Sequence, residues 1–321
     1  MKKTIISLGL ACIMLFAGCG KKEAPTSNVL VKVGESTLTT GQFQFFLDEI
    51  KTQMEQELSL DGDWETAEIE GKKAIEVAKE RAYEVAVEYL SCIEVAKKKG
   101  VTVTDEEITS MKAQINTSYF EKYAEKDAII DFMCRAEQYL YKMQQKYLEE
   151  KPLADGMVEA YFNDNREMFD STYLRAKHVL ILTQDEATRE PLSETEIAER
   201  KVKADGILAR AKAGEDFDAL VKEYSEDPGS QANPDGYVFT GGEMVQEFED
   251  CVRNLGYGEI GFAETSYGYH IIKRLELDPV SAKSVIEGYI HNEEFSKYME
   301  ELRSLYDIKA EKVEEEYNKI K

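Results

Sequence analysis

At 321 residues the chain is long enough for two or three domains that each bury a core. Its 63 aspartates and glutamates outnumber its 40 lysines and arginines, giving a formal net charge of −23. That surface repels nucleic acid and anionic lipid headgroups, and leaves neutral or basic polypeptides, or no partner at all, as the expectation.

The first segment is "MKKTIISLGLACIMLFAGC": Lys2 and Lys3, then an apolar run from Ile5 to Ala17 that ends in small residues. The run is too short and wrongly flanked to span a bilayer, so residues 1–18 read as a secretory signal. Ala17-Gly18-Cys19 resembles the lipobox of bacterial lipoproteins, with Phe16 where that family usually has leucine and Leu15 one place earlier. The resemblance implies that Cys19 becomes a lipidated N-terminus after cleavage; the alternative is an ordinary secretory signal that happens to contain a cysteine. The polar stretch through Asn28 suits a flexible tether, and no later apolar run is long enough for a membrane span.

"NVLVKVGESTLTT" then predicts a hairpin, with Val29, Val31 and Val33 alternating and Gly34-Glu35 as the turn. Thr39 or Thr40 can cap the helix that follows. From Glu65 the spacing of Ile75, Ala78, Ala82, Val85 and Tyr89 predicts a long helix ending at Gly100. Thr104 with Glu107 supplies a capping box for another. Residues 126–149 and 153–169 continue the helical pattern. Their apolar stripes read either as core or as a surface for a client chain. Cys92, Cys134 and Cys251 each sit in a helical pattern, with no CxxC motif and no zinc spacing, so unpaired buried thiols are expected.

From residue 172 the period changes. "TYLRAKHVLIL" alternates as a strand, with Leu174, Ala176, His178, Leu180 and Leu182 on one face. A helix capped by Ser193 and Glu196 runs to Gly214, and "EDFDALVKEYS" is a second, short helix. The loop "DPGSQANPDG" leads to the brief strand "YVFT", then to a third helix, "EMVQEFEDCVRNL", and a closing strand, "SYGYHIIKRLEL". Short strands alternating with helices over about a hundred residues indicate one α/β domain. The tail carries Ile290 and Phe295 at helical spacing, and "YDIKAEKVEEEYNKI" adds a strand and a last helix.

His178, on an apolar strand face, should be buried and need partners for both ring nitrogens. His270 follows Gly268, where a missing side chain lets another group approach closely. Alone, each histidine reads as a satisfied core residue. Together they read differently, because the intervening loop starts with an acid, Asp227, placed to join them.

The segments "AKHVLIL", "GEDFDALVKEYSEDPGS", "FTGGEMVQEFED", "GEI" and "TSYGYHIIK" occur in the order and spacing of parvulin-type peptidyl-prolyl isomerases, over residues 173–277. With the lipobox and the helical regions on either side, the whole chain resembles the PrsA-like extracytoplasmic foldase lipoproteins and is similar to the SurA-like chaperones. The resemblance implies an α+β multidomain fold. Its parts are a signal over 1–18, the lipidated cysteine and tether over 19–28, and a helical chaperone region over 29–171. An inserted α/β parvulin domain follows over 172–277, then a helical segment over 278–321 that packs on the N-terminal region. It also implies Asp227, His178, His270 and Thr265 as the catalytic set, and a proline pocket of Phe239, Met244 and Phe248. Two departures stand beside that site. "NPDGY", with Pro234, replaces the usual Gly-Gly-Asp-Leu-Gly, and "GEIGFAETSYGYH" is one residue short and lacks the usual proline.

The expected function is that of a membrane-anchored foldase outside the cytoplasm. It isomerises Xaa-Pro bonds in unfolded or partly folded secreted polypeptides, with a homodimer open as an assembly. The alternative is a chaperone lipoprotein whose parvulin segment binds peptides with weak or no catalysis. No cofactor or metal is expected, although His178, His270 and Asp227 could chemically hold an ion. A hydrolase would need a nucleophile beside a histidine, for which Cys251 gives no signal. No Lys or Arg occurs between Tyr224 and Val252, which weighs against nucleotide and phosphopeptide ligands. A solute-binding lipoprotein would need large paired α/β lobes.

Overall fold

The structure, a computed structural model, describes residues 28–58 and 63–320. The signal over 1–18, Cys19 and the tether up to Ser27 lie outside the described residues.

Strands β1 (Val29–Val33) and β2 (Ser36–Thr39) form the hairpin, with Gly34 at φ 59 in its turn. Thr39 caps α1 (Thr40–Leu58): Gln42 N–H donates to its Oγ1 at 3.2 Å, and Thr39 N–H donates to Gln42 Oε1 at 2.9 Å. A second hairpin, β3 (Glu68–Ile69) with β4 (Lys72–Lys73), occupies residues that the sequence assigned to the next helix. Glu70 at φ 52 and Gly71 at φ 81 form its turn, and two positive φ values in succession match the twist of paired strands. Helix α2 (Ala74–Lys98) therefore starts later than expected and ends against Gly100, at φ 76. Helix α3 (Asp105–Lys112) opens on the Thr104–Glu107 capping box. A 3-10 segment at Thr117–Lys122 precedes α4 (Lys126–Glu150), α5 (Met157–Asp164) and α6 (Arg166–Thr172).

Strand β5 (Leu174–Leu182) is followed by α7 (Glu194–Lys212), capped by Ser193 with Glu196, and by α8 (Phe217–Tyr224). Next come β6 (Tyr237–Phe239), α9 (Gln246–Asn254), β7 (Ile260–Glu264) and β8 (Gly268–Leu275). The sequence pattern did not mark β7. The chain closes with α10 (Lys283–Leu305), β9 (Ala310–Lys312) and α11 (Glu314–Tyr317). This is an α+β architecture in two compact units, one of Met1–Pro152 with His291–Lys321 and one of Leu153–Ile290. Among the described residues no helix is long and apolar enough to cross a membrane.

In the first unit β9 and β2 flank β1 in an antiparallel sheet. The helical period of α1, α2 and α4 delivers Phe43, Leu47, Met54, Leu90, Ile129 and Met143 to one core, joined by Phe295, Tyr298 and Leu302 of α10. These apolar stripes are therefore core. Cys92 and Cys134 are buried among them as free thiols.

The second unit is built on a four-stranded antiparallel sheet in the order β6-β5-β8-β7. Alternation gives its central strands two different faces. Val179, Ile181, Tyr269 and Ile271 pack with Ile207, Phe217 and Leu220 of α7 and α8. Leu174, Ala176 and Ile272 pack with Phe239, and with Phe248 and Val252 of α9. Both strand histidines fall on the α9 face by the same period of two. A further cluster joins Phe162 and Phe169 of α5 and α6 to Leu277, Ala282, Ile286 and Ile290, with Val238 of β6 packed against it.

Candidate active site

The register of β5 and β8 creates the site. Leu180 stands opposite His270 and Ile272 opposite His178, so the two histidines are diagonal neighbours on one face. Their ring centroids lie 5.1 Å apart at 72°, edge to face. Gly268 makes this close pairing possible. At φ 148 it takes a conformation that side chains disfavour, and a Cβ there would meet the Ile181 carbonyl oxygen at 2.2 Å. His178 and His270 are 9% and 4% exposed.

Each histidine is held from its outer side. His178 Nε2 lies 3.1 Å from Asp227 Oδ2, which also accepts from the Tyr237 hydroxyl at 2.6 Å and from Ser230 Oγ at 2.8 Å. Gly229 N–H donates to Asp227 Oδ1 at 3.1 Å. Burial pushes the Asp227 carboxyl up, but the hydrogen bonds from His178, Tyr237 and Ser230 outweigh it and hold the group well below the usual carboxylate range. An ionised Asp227 can only accept, so His178 Nε2 carries a proton. At the other end Thr265 Oγ1 lies 2.9 Å from His270 Nε2 and accepts the Tyr267 N–H at 3.1 Å. Burial, and secondarily the neighbouring His178, push His270 down to about 3, so this ring is neutral at working pH. The Thr265 oxygen keeps a lone pair after taking the Tyr267 N–H, so the hydroxyl can donate to His270 Nε2 or accept from it. Both Nδ1 atoms are buried without a partner.

The apolar side of the site comes from β6 and α9. Phe248 meets His178 at 5.2 Å and His270 at 5.5 Å, edge-on to both, and Phe239 lies 5.9 Å from Phe248. Phe239 and Phe248 are 1% and 2% exposed, and Met244 is half-buried against them. The loop carrying Met244 is fixed by buried Glu249, whose Oε1 accepts Gly242 N–H at 2.8 Å and Met244 N–H at 3.1 Å.

All seven residues expected at the site thus share one face of the sheet. Tyr237 and Ser230 were missed. Tyr237 stands two places before Phe239 on a strand, so the period of two could have placed it on this face. Cys251, half-buried, packs against β7: a Cβ on Gly261 would meet its Sγ at 2.6 Å, and burial pushes the thiol up. Among the described residues no cluster of His, Cys, Asp or Glu is arranged to hold a metal.

Residues 161–277 match the PPIC-type PPIase domain family. The foldase protein PrsA of Caldanaerobacter subterraneus subsp. tengcongensis is 30% identical, over 98% of this chain and 97% of that one. The chain belongs to the PrsA foldase family. PrsA of Halalkalibacterium halodurans is 26% identical over 91% of this chain and 77% of its own. Among solved structures, PrsA from Bacillus subtilis is 21% identical, covering 85% of this chain and 89% of that one, with a TM-score of 0.29. The protein is a peptidyl-prolyl cis-trans isomerase of the parvulin type, and its partners are substrate polypeptides.

Proposed function

We propose that the parvulin domain over 172–277 isomerises Xaa-Pro bonds in unfolded or partly folded secreted polypeptides. Asp227, His178, His270 and Thr265 set the field at the substrate carbonyl, and Phe239, Met244 and Phe248 receive the proline ring. The supporting observation is the buried histidine pair beneath Phe248, tied to Asp227 at one end and to Thr265 at the other. A prolyl bond isomerises in tens of seconds unaided, over a barrier of roughly 20 kcal/mol. Reaching roughly 10–1000 turnovers per second requires lowering that barrier by about 4–7 kcal/mol. No bond breaks, so neither a nucleophile nor a cofactor is called for. The twisted imide has lost its resonance and is less polar than either planar isomer, so an apolar wall favours it over water. Preorganised donors and dipoles around the carbonyl supply the remainder.

The helical region over 29–171 holds the unfolded chain, and the anchor at Cys19 keeps the protein on the outer side of the cytoplasmic membrane. Asp227→Ala should lose on the order of tenfold to a thousandfold in a proline-peptide isomerisation assay. Suppression of client aggregation should survive the change. Full isomerase activity in that variant would refute the site. Cys19→Ser should release the protein from membranes or block its processing, and unchanged membrane association would sink the anchoring.

A further inference from the structure

Tyr237 stands where the site is most constrained. It opens β6 on the face shared with Phe239, and its ring lies 5.6 Å from that of His178, tilted by 35°. Its hydroxyl makes the shortest of the three contacts on Asp227 Oδ2, at 2.6 Å against 2.8 Å for Ser230 and 3.1 Å for His178. The hydroxyl reaches that position because residue 229 is glycine: a Cβ there would lie 2.2 Å from it. The sequence has an aromatic hydroxyl at this place within the unusual "NPDGY" run.

We propose that Tyr237 is a positioning residue of the isomerase: it locks Asp227 as an ionised, acceptor-only carboxylate whose Oδ2 stays aimed at His178 Nε2. The proposal rests on Asp227 acting in the site as described above. A short O–H···O⁻ bond stabilises the charged form of the acceptor and fixes its plane. Oδ2 with three partners and Oδ1 with one leave the carboxylate no free direction in which to turn. Without the phenol, the half-buried carboxylate loses its shortest hydrogen bond and its titration moves up, but it stays ionised at working pH. Oδ2 then keeps only Ser230 and His178, so the carboxylate is free to swing out of line with His178 Nε2 and the order of the site is loosened. The groups facing Asp227 are His178 from β5, His270 from β8, Tyr237 from β6 and the hydroxyls of Ser225 and Ser230 from its own loop. Neighbouring Glu226 is turned away to Arg200 and Lys203.

The test uses the full chain in detergent, with Tyr237→Phe keeping the ring and removing one hydroxyl. Two quantities are read: kcat/KM for a proline peptide and the titration of the Asp227 carboxyl carbon by NMR, identified by its loss in Asp227→Asn. Tyr237→Phe should lower kcat/KM by about three- to thirtyfold and move the Asp227 titration up by about one to two pH units, as expected for one lost charge-assisted hydrogen bond. Gly229→Ala, which displaces the hydroxyl while leaving the tyrosine, should move the titration the same way. In the Asp227→Asn background, Tyr237→Phe should change kcat/KM no further. An unmoved Asp227 titration in folded Tyr237→Phe and Gly229→Ala, with Asp227→Asn inactive, would overturn the role of Tyr237 and leave the site standing. Full activity in Asp227→Asn would instead remove the site on which the proposal depends.

Discussion

Glu94 is a carboxylate buried in an otherwise apolar helix face, 4% exposed, and its surroundings explain why. Its Oε1 accepts from Ser36 Oγ at 2.5 Å and from Lys97 Nζ at 2.9 Å. The β1–β2 turn rests on it closely, for a Cβ on Gly34 would meet Oε2 at 2.5 Å. Gly34 is therefore required twice, by its φ of 59 and by that contact. Burial pushes the Glu94 carboxyl up, but hydrogen bonds from Ser36, Lys97 and the Glu35 N–H overcome it, and the net shift is downward. A folded value below the unfolded one means stability that is present above the unfolded pKa and is lost as pH falls through the folded one. Glu94→Ala should cost about 1–3 kcal/mol at neutral pH, since it removes the charge-assisted hydrogen bonds from half-buried Ser36 and from Lys97. Denaturant melts of parent and variant should converge as the pH is lowered below the glutamate range. An equal gap at pH 7 and pH 3 would show that packing, not the charge, is what Glu94 contributes.

Nothing in the helical pattern of α2 marks Glu94, because its partner Ser36 lies 58 residues away. Local signals were legible where the partner is local. The capping boxes of Thr104 with Glu107 and Ser193 with Glu196 formed, and Gly100 and Gly214 end their helices at φ 76 and 90. The alternation of β5 correctly put His178 with Ala176 on a buried face, and Gly268 correctly announced a close approach. The hairpin of β3 and β4 was hidden because its turn is Glu-Gly, and its strands carry lysine and glutamate, which suit a helix equally well. Strand β7 was hidden because Gly261 interrupts its alternation, and that glycine is explained by Cys251 and Leu255, which a Cβ there would meet at 2.6 and 2.9 Å. In the site, Asp227 could be singled out as an acid at a loop start. Ser230 could not, because its contact with Asp227 exists only once the 3-10 turn at Pro228–Gln231 has formed.

The parvulin signal in the sequence runs over 172–277, whereas the compact unit that carries it spans Leu153–Ile290. The difference is physical and lies in one cluster. Val238 of β6 points away from the histidines, since Tyr237 and Phe239 point toward them, and it packs against the cluster of Phe162, Phe169, Leu277, Ala282, Ile286 and Ile290. Tyr173 adds a hydroxyl contact to Tyr289 at 3.3 Å, and Arg175 of β5 holds Asp278 at 2.6 Å. A fragment of 172–277 loses Phe162, Phe169, Ala282, Ile286, Ile290, Tyr289 and Asp278, and leaves Leu277 and the outer face of β6 in water. Each buried side chain of that size is worth roughly 1.5–3 kcal/mol before the entropy of ordering its helix is subtracted. A net of about 2 kcal/mol corresponds to a shift of roughly 7–9 °C in Tm for a domain of this size. The fragment 153–290 should therefore melt higher than 172–277 by on the order of 10 °C. Because β6 carries both Tyr237 and Phe239, the shorter fragment should also lose isomerase activity on warming before its far-UV signal changes. Calorimetry and a proline-peptide assay on the two fragments decide the matter. Equal melting temperatures would mean that the sheet with α7, α8 and α9 is self-sufficient, and that the flanking helices serve some purpose other than support of the site.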